Sequence, residues 1–239
     1  MVRLNFARFR STRQHMRNLT ALATACAALL LLLAPPHNLR AQSKKRRETS
    51  INRQRRNEQT VKDAYSHRWE IGLSGTYMRT DTGHNQRKTN LDGYAVTDTY
   101  YFNPKWSVVA DTRGNFGGAR VFNNPYNVYD PLISEFTFMA GPQVRLYRKA
   151  RWAFSPHILV GAVRGNFSGG TKGLPSTLLG IYPDGWRAAA SPGVNVDFNL
   201  FPNMAVRATP NIVFTTFDGS LQTNLGVNLG LVYRFGRQK

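Results

Sequence analysis

Few residues in this chain have the types and spacing of chemistry. Ser155 and His157 stand two apart in an alternating run, so both side chains fall on one face of a strand. A serine beside a histidine could act as a nucleophile with its base, given a carboxylate to orient the ring. The run 155–162 places the pair near the start of its strand and on the side opposite the apolar stripe. That position predicts an interior hydrogen-bonded pair rather than a catalytic one. The glycine-rich stretch GNFSGGTKG at 165–173 superficially resembles a phosphate loop, but it lacks the Gly-Lys-Ser/Thr ending and no helix pattern follows. A flexible loop is expected there. Five histidines, two of them within residues 1–41, give little support for a metal cluster, and none is expected. The one cysteine, Cys26, lies inside an apolar N-terminal run, which leaves the remaining chain without a disulfide or a thiolate zinc site. No cofactor is implied.

Charge is the next candidate for function. The net charge is +19, divided as +6 over residues 1–41, +6 over 42–68 and +7 over 69–239. Nearly two thirds of the excess therefore precedes residue 69, and a nucleic-acid partner is not expected despite the high isoelectric point. Residues 1–41 combine Arg3, Arg8, Arg10, Arg13 and Arg17 with the apolar run 19–34, then Pro35-Pro36 and Ala41. This is the build of a secretory signal peptide, and 16 apolar residues are short for a membrane anchor. Residues 42–67 are polar, highly charged and aperiodic, which predicts a disordered periplasmic linker. Such a basic arm could also attract an anionic envelope polymer.

From Trp69 the period becomes two, and eight segments alternate apolar with polar residues: Trp69–Tyr77, 91–102, Trp106–Phe116, Ile133–Tyr147, Trp152–Arg164, Trp186–Phe198, Met204–Thr215 and Leu225–Phe235. The second is weaker, because Asp98 shares a face with Tyr94, Val96 and Tyr100. Short connections at 103–105, 148–151 and 199–203 alternate with longer polar loops at about 80–90, 117–132, 165–185 and 216–222. Small outer-membrane barrels show this asymmetry, with short periplasmic turns, longer outer loops and an even strand count. The expected fold is all-β, an eight-stranded antiparallel up-and-down transmembrane β-barrel over residues 68–236, with a short tail at 237–239 and both termini in the periplasm. Trp69, Trp106, Trp152, Tyr233 and Phe235 are expected in an aromatic girdle at one membrane boundary and Trp186 at the other. Glu70, Asp111, Arg113, Arg145, Arg187, Asp197, Arg207 and Arg234 fall opposite the apolar stripe. Buried charges persist only when paired, so these eight are expected to form an interior network that leaves no wide pore.

The stretches WEIGLSGTY at 69–77, WSVVADTRGNFG at 106–117, GPQVRLYR at 141–148, SPHILVGA at 155–162, GVNVDFNL at 193–200 and NLGVNLGLVYRFG at 224–236 resemble the small outer-membrane β-barrel families, the OmpA transmembrane domain and its relatives. The resemblance covers about 69–236 and speaks to architecture, since the motifs are strands rather than sites. It implies a bacterial outer-membrane location, contact with outer-membrane lipid and lipopolysaccharide, and handling by the barrel-assembly machinery. Such chains commonly end on the terminal aromatic of the last strand, whereas here Gly236-Arg237-Gln238-Lys239 follow Phe235. The expected role is non-enzymatic, structural or surface-interacting. The alternatives are a narrow porin-like channel for small solutes and an outer-membrane lipid-modifying enzyme.

Overall fold

A computed structural model describes residues 50–83, 88–121 and 125–237. The predicted signal peptide 1–41, residues 42–49 of the predicted linker and the last two residues of the tail lie outside the described residues. Eight main strands follow one helix: α1 (Ser50–Tyr65), β1 (His67–Thr80), β2 (Thr89–Tyr101), β3 (Trp106–Gly118), β4 (Leu132–Val144), β5 (Trp152–Gly169), β6 (Gly185–Phe201), β7 (Met204–Thr215) and β8 (Gln222–Arg237). Every neighbour in the chain is an antiparallel neighbour in the sheet, and β1 pairs with β8 to close it. The chain is therefore a closed eight-stranded up-and-down barrel. Closure satisfies backbone polar groups that an open edge would expose, the condition for crossing a bilayer with strands. Among the described residues no helix is long and apolar enough to cross a membrane.

The alternation places outward and inward residues as a bilayer requires. Leu73, Ile158, Val160 and Leu229 point outward and are 60–64% exposed, whereas Glu70, Gln143, Asp197 and Arg234 point inward and are buried. A soluble barrel would reverse these faces.

Three features depart from the sequence expectation. The first is α1, where a disordered linker is expected over 42–67. Residues 50–65 are helical, although polar, because the helix is anchored at one end: Ala64 and Tyr65 are buried and pack with Val61 against Ala153. Along the exposed length, Gln54 Nε2 donates to Glu58 Oε1 at 3.1 Å, an i,i+4 pair that supports the helix locally. Second, the predicted strand 133–147 breaks after Val144, and a two-residue segment, Tyr147–Arg148, resumes pairing with Phe154 and Ala153 one residue out of register. Arg145 stays inward, on the parity of Gln143, and the irregularity after it leaves two successive residues, Leu146 and Tyr147, exposed outside. Third, β5 runs through Gly169, so half of the glycine-rich stretch 165–173 is strand rather than loop.

The interior is split along the barrel axis. Near the rim of the short turns it is polar and charged. Near the rim of the longer loops it is mainly apolar, with Met78, Leu91, Ile133, Met139, Val163, Phe167 and Val213 joined by the loop residues Val121, Leu179, Ile181, Tyr182 and Phe217, although Thr80, Glu135, Thr215, Gln222 and Asn224 are buried at the same end. Phe167 and Phe217 meet edge to face with ring centroids 5.1 Å apart. The sequence expectation of an interior charge network does not include this second core, which the loops complete by folding inward.

Candidate functional site: the filled lumen and its basic rim

The strands bring together side chains far apart in sequence. Glu70 of β1 accepts hydrogen bonds from Arg145 Nη2 at 2.7 Å, Arg207 Nη2 at 2.7 Å, Arg234 Nε at 3.0 Å and the Tyr101 hydroxyl at 3.2 Å. Asp197 of β6 accepts from Arg207 Nε at 2.6 Å and Nη2 at 2.9 Å, and from Arg234 Nη2 at 3.1 Å. Three guanidinium groups thus surround two carboxylates, leaving one positive charge in excess. Tyr rings meet that excess: the Arg145 guanidinium carbon lies 4.1 Å from the Tyr101 ring centroid and 4.7 Å from that of Tyr65. Sandwiched in this way, Arg145 leaves its Nε and Nη1 without hydrogen-bond acceptors among the described residues.

Tyr65, the last residue of α1, closes the layer from outside. Its hydroxyl donates to the Lys149 carbonyl at 2.9 Å and accepts from Asn199 Nδ2 at 2.7 Å, while Asn199 Oδ1 accepts from Arg234 Nη1 at 2.7 Å. Burial pushes the phenol above its ordinary 10.0. The sequence reading missed Tyr65 because its run had no strand or helix period; only an aromatic at the end of a polar segment marked it.

Above the ionic layer, Asn195 Nδ2 donates to Gln143 Oε1 at 2.6 Å and Gln143 Nε2 donates to the Tyr101 hydroxyl at 3.0 Å. Asp111 and Arg113 pair with each other at 2.5 Å, apart from the main cluster, and Arg113 Nη1 donates to Asn211 Oδ1 at 3.0 Å. Arg187 is not brought into the predicted network. It shares the inward face of β6 but lies half-buried at the opposite mouth, donating to the Trp186 carbonyl at 2.8 Å.

Ser155 and His157 point inward and are buried. The sequence reading expected them to be hydrogen-bonded; instead, neither the Ser155 hydroxyl nor either His157 ring nitrogen has a hydrogen-bond partner among the described residues. His157 lines a cavity of about 20 Å³ together with Asp111, Arg113 and Arg207. That volume is a small fraction of a ligand site. Among the described residues no group of three His, Cys, Asp or Glu side chains could hold a metal.

The aromatic residues take two levels. Trp69 meets Tyr100 at a tilt with ring centroids 4.7 Å apart and pairs across the closing seam with Phe235, Trp152 meets Phe198 at 4.9 Å, and Tyr233 stacks on Phe235 at 6.2 Å. Trp106 is 49% exposed at the start of β3 on the same side. Trp186 lies at the other end, 6.0 Å from Phe138, with the Arg164 guanidinium 6.0 Å from its ring. The sequence reading missed Tyr100, Phe102, Tyr147, Phe154 and Phe198, all near the short-turn rim, because it counted strand-initial tryptophans and not their cross-strand neighbours.

Outside that rim, α1 leans over the turn joining the bulged end of β4 to β5. Between them lies an open cleft of about 870 Å³, lined by Arg53 and Lys62 from the helix and Arg148, Lys149 and Arg151 from the turn, with Glu58 the one carboxylate.

No family model matches the chain, and no curated protein matches it. Among solved structures it is similar to Ail, the attachment invasion locus protein of Yersinia pestis, in complex with the heparin analogue sucrose octasulfate (18% identity, TM-score 0.48, 71% of this chain and 99% of that one). It is also similar to Neisserial surface protein A (9%, 0.49, 70% and 97%) and to the outer membrane protein OprG from Pseudomonas aeruginosa (12%, 0.44, 72% and 98%). The closed sheet, apolar exterior and charged interior are by themselves the architecture of a small outer-membrane β-barrel.

Proposed function

We propose that this chain is a bacterial outer-membrane barrel with both termini in the periplasm, serving a structural or surface-interaction role through its longer loops without conducting solutes or catalysing a reaction. The observation that carries this reading is the filled lumen. Ions, amides and tyrosines pack one half and an apolar core packs the other. The orientation is supported by the short turns at 102–105, 149–151 and 202–203, which share the rim of α1. The exposed outer strand faces would meet acyl chains and lipopolysaccharide. The aromatic end of β8, Tyr233 and Phe235, would serve the barrel-assembly machinery in biogenesis.

Planar-bilayer recording of the purified folded protein tests the closed lumen, with no single-channel current expected; steady ohmic steps would overturn it. Orientation is tested separately with single cysteines in a background lacking Cys26. Lys172→Cys, in the loop between β5 and β6, is expected to react with an impermeant maleimide on intact cells. Arg151→Cys is expected to react only after the outer membrane is permeabilised, and the reverse order would invert the assignment.

A further inference from the structure

We infer that the cleft between α1 and the turn before β5 is a binding site for the phosphate head group of an anionic phospholipid in the periplasmic leaflet. The inference rests on the periplasmic placement of this rim proposed above.

Five cations line the cleft against one carboxylate. Glu58 already accepts from Gln54, and Arg148 directs Nη1 to the Pro104 carbonyl at 3.4 Å with four other N–H donors remaining. The turn residues Arg148, Lys149 and Arg151 are all exposed. Like charges gathered on one concave wall repel one another, and an anion relieves that repulsion. The volume, about 870 Å³, falls within the range of small-molecule sites. Val61 and Ala150 give the wall an apolar portion, suited to a glycerol backbone more than to a bare ion.

The height of the cleft favours a lipid over a soluble polymer. The basic turn is bracketed by Tyr147 and Trp152, which are 44% and 46% exposed on the outer face. Their neighbours Phe154 and Phe198 lie 5.7 Å and 4.9 Å away in the same girdle. Aromatic girdles sit at the membrane–water boundary, so cations between two girdle residues lie at the level of lipid phosphates. The helix then folds over the head group from the aqueous side, held at its inner end by Tyr65.

Native mass spectrometry of the folded protein from mixed micelles tests this, with dioleoyl phosphatidylglycerol against dioleoyl phosphatidylcholine as probes. The wild type is expected to retain phosphatidylglycerol at least about tenfold better, since each cation near a lipid surface contributes roughly fivefold. Arg148→Gln/Lys149→Gln/Arg151→Gln and, separately, Arg53→Gln/Lys62→Gln should each lower that retention by at least about tenfold, the triple variant more than the double, while the heat-modifiable gel shift shows that the barrel is intact. Lys172→Gln/Arg187→Gln, at the opposite mouth, should leave retention unchanged. Equal retention of the two lipids, or equal loss in the opposite-mouth variant, would overturn the site. Displacement of the lipid by millimolar inorganic phosphate would assign it to free anions, and preferential binding of soluble polyglutamate would assign it to a polymer; either result overturns the lipid. The cysteine-labelling order is read independently, so a wrong orientation is distinguishable from a wrong ligand.

Discussion

Glu70 shows how much one residue holds. Its carboxylate is the common acceptor for Arg145, Arg207 and Arg234, so Glu70→Gln leaves three buried guanidinium groups facing a neutral amide. Removing one partner of a buried ionic cluster typically costs about 3–5 kcal/mol. Urea unfolding in micelles, followed by tryptophan fluorescence, should show a loss of that size; a change below about 1 kcal/mol would mean that Asp197 alone neutralises the layer. The glycines give a sharper contrast. A Cβ at Gly230 would lie 2.1 Å from the Leu73 carbonyl oxygen and 2.4 Å from Ser74 Cα, both backbone atoms of β1, so Gly230→Ala must push open the closing seam. At Gly75, on the outer face, the nearest atoms are 4.0 Å away and alanine fits. The expected outcome is a heat-modifiable folded species for Gly75→Ala and little or none for Gly230→Ala. The acidic members of the network were legible in the sequence as charges on the inward parity of strands. Arg187 was misplaced because parity names a face and says nothing of height along the axis.

At the scale of elements, strand positions followed from alternation and turn spacing because one face meets lipid and the other the lumen. The helix did not, since α1 has no apolar stripe and is held through Tyr65 at one end. Tyr65→Ala removes the Asn199 hydrogen bond, the Lys149 hydrogen bond and one face of the Arg145 sandwich, and α1 is expected to detach. Hydrogen exchange should then show residues 61–65 as unprotected as the exposed remainder of the helix, with the strands unchanged. Tyr65→Phe keeps the ring and should retain partial protection. The sheet has its own weak seam. Pro192 and Pro210 sit within β6 and β7 and cannot donate to the ladder, and between Ala190 and Val196 pairing of these strands is intermittent: Ala190 with Phe214, Gly193 with Asn211 and Val196 with Ala208, the residues between them unpaired across this seam. Pairing of β1 with β8 is nearly continuous over the same length. The amide of Val194, which shares the parity of Pro192, should therefore exchange faster than those of Leu229 and Leu231, and equal protection would show that the seam is closed despite the prolines.

For the whole molecule, the closed barrel was readable because an even strand count, alternating connection lengths and the aromatic rims all point one way. The division of the lumen was not readable, because the apolar half depends on loop residues Leu179, Ile181, Tyr182 and Phe217 folding back between the strand ends, a tertiary event with no local period. That division has a consequence for permeation. Two independent seals lie in series, an ionic layer at the α1 rim and an apolar core at the loop rim, and current requires both to open. Phe167→Ala with Phe217→Ala enlarges only the loop half, since the Glu70–Arg145 and Asp197–Arg207 contacts are untouched. Arg145→Ala with Tyr65→Ala opens only the other half, leaving Phe167 packed on Phe217. Each pair of substitutions is expected to stay electrically silent in planar bilayers, and the four together to give small, noisy conductance. Current from either pair alone would show that a single layer seals the barrel, and would place the barrier in the half that was changed.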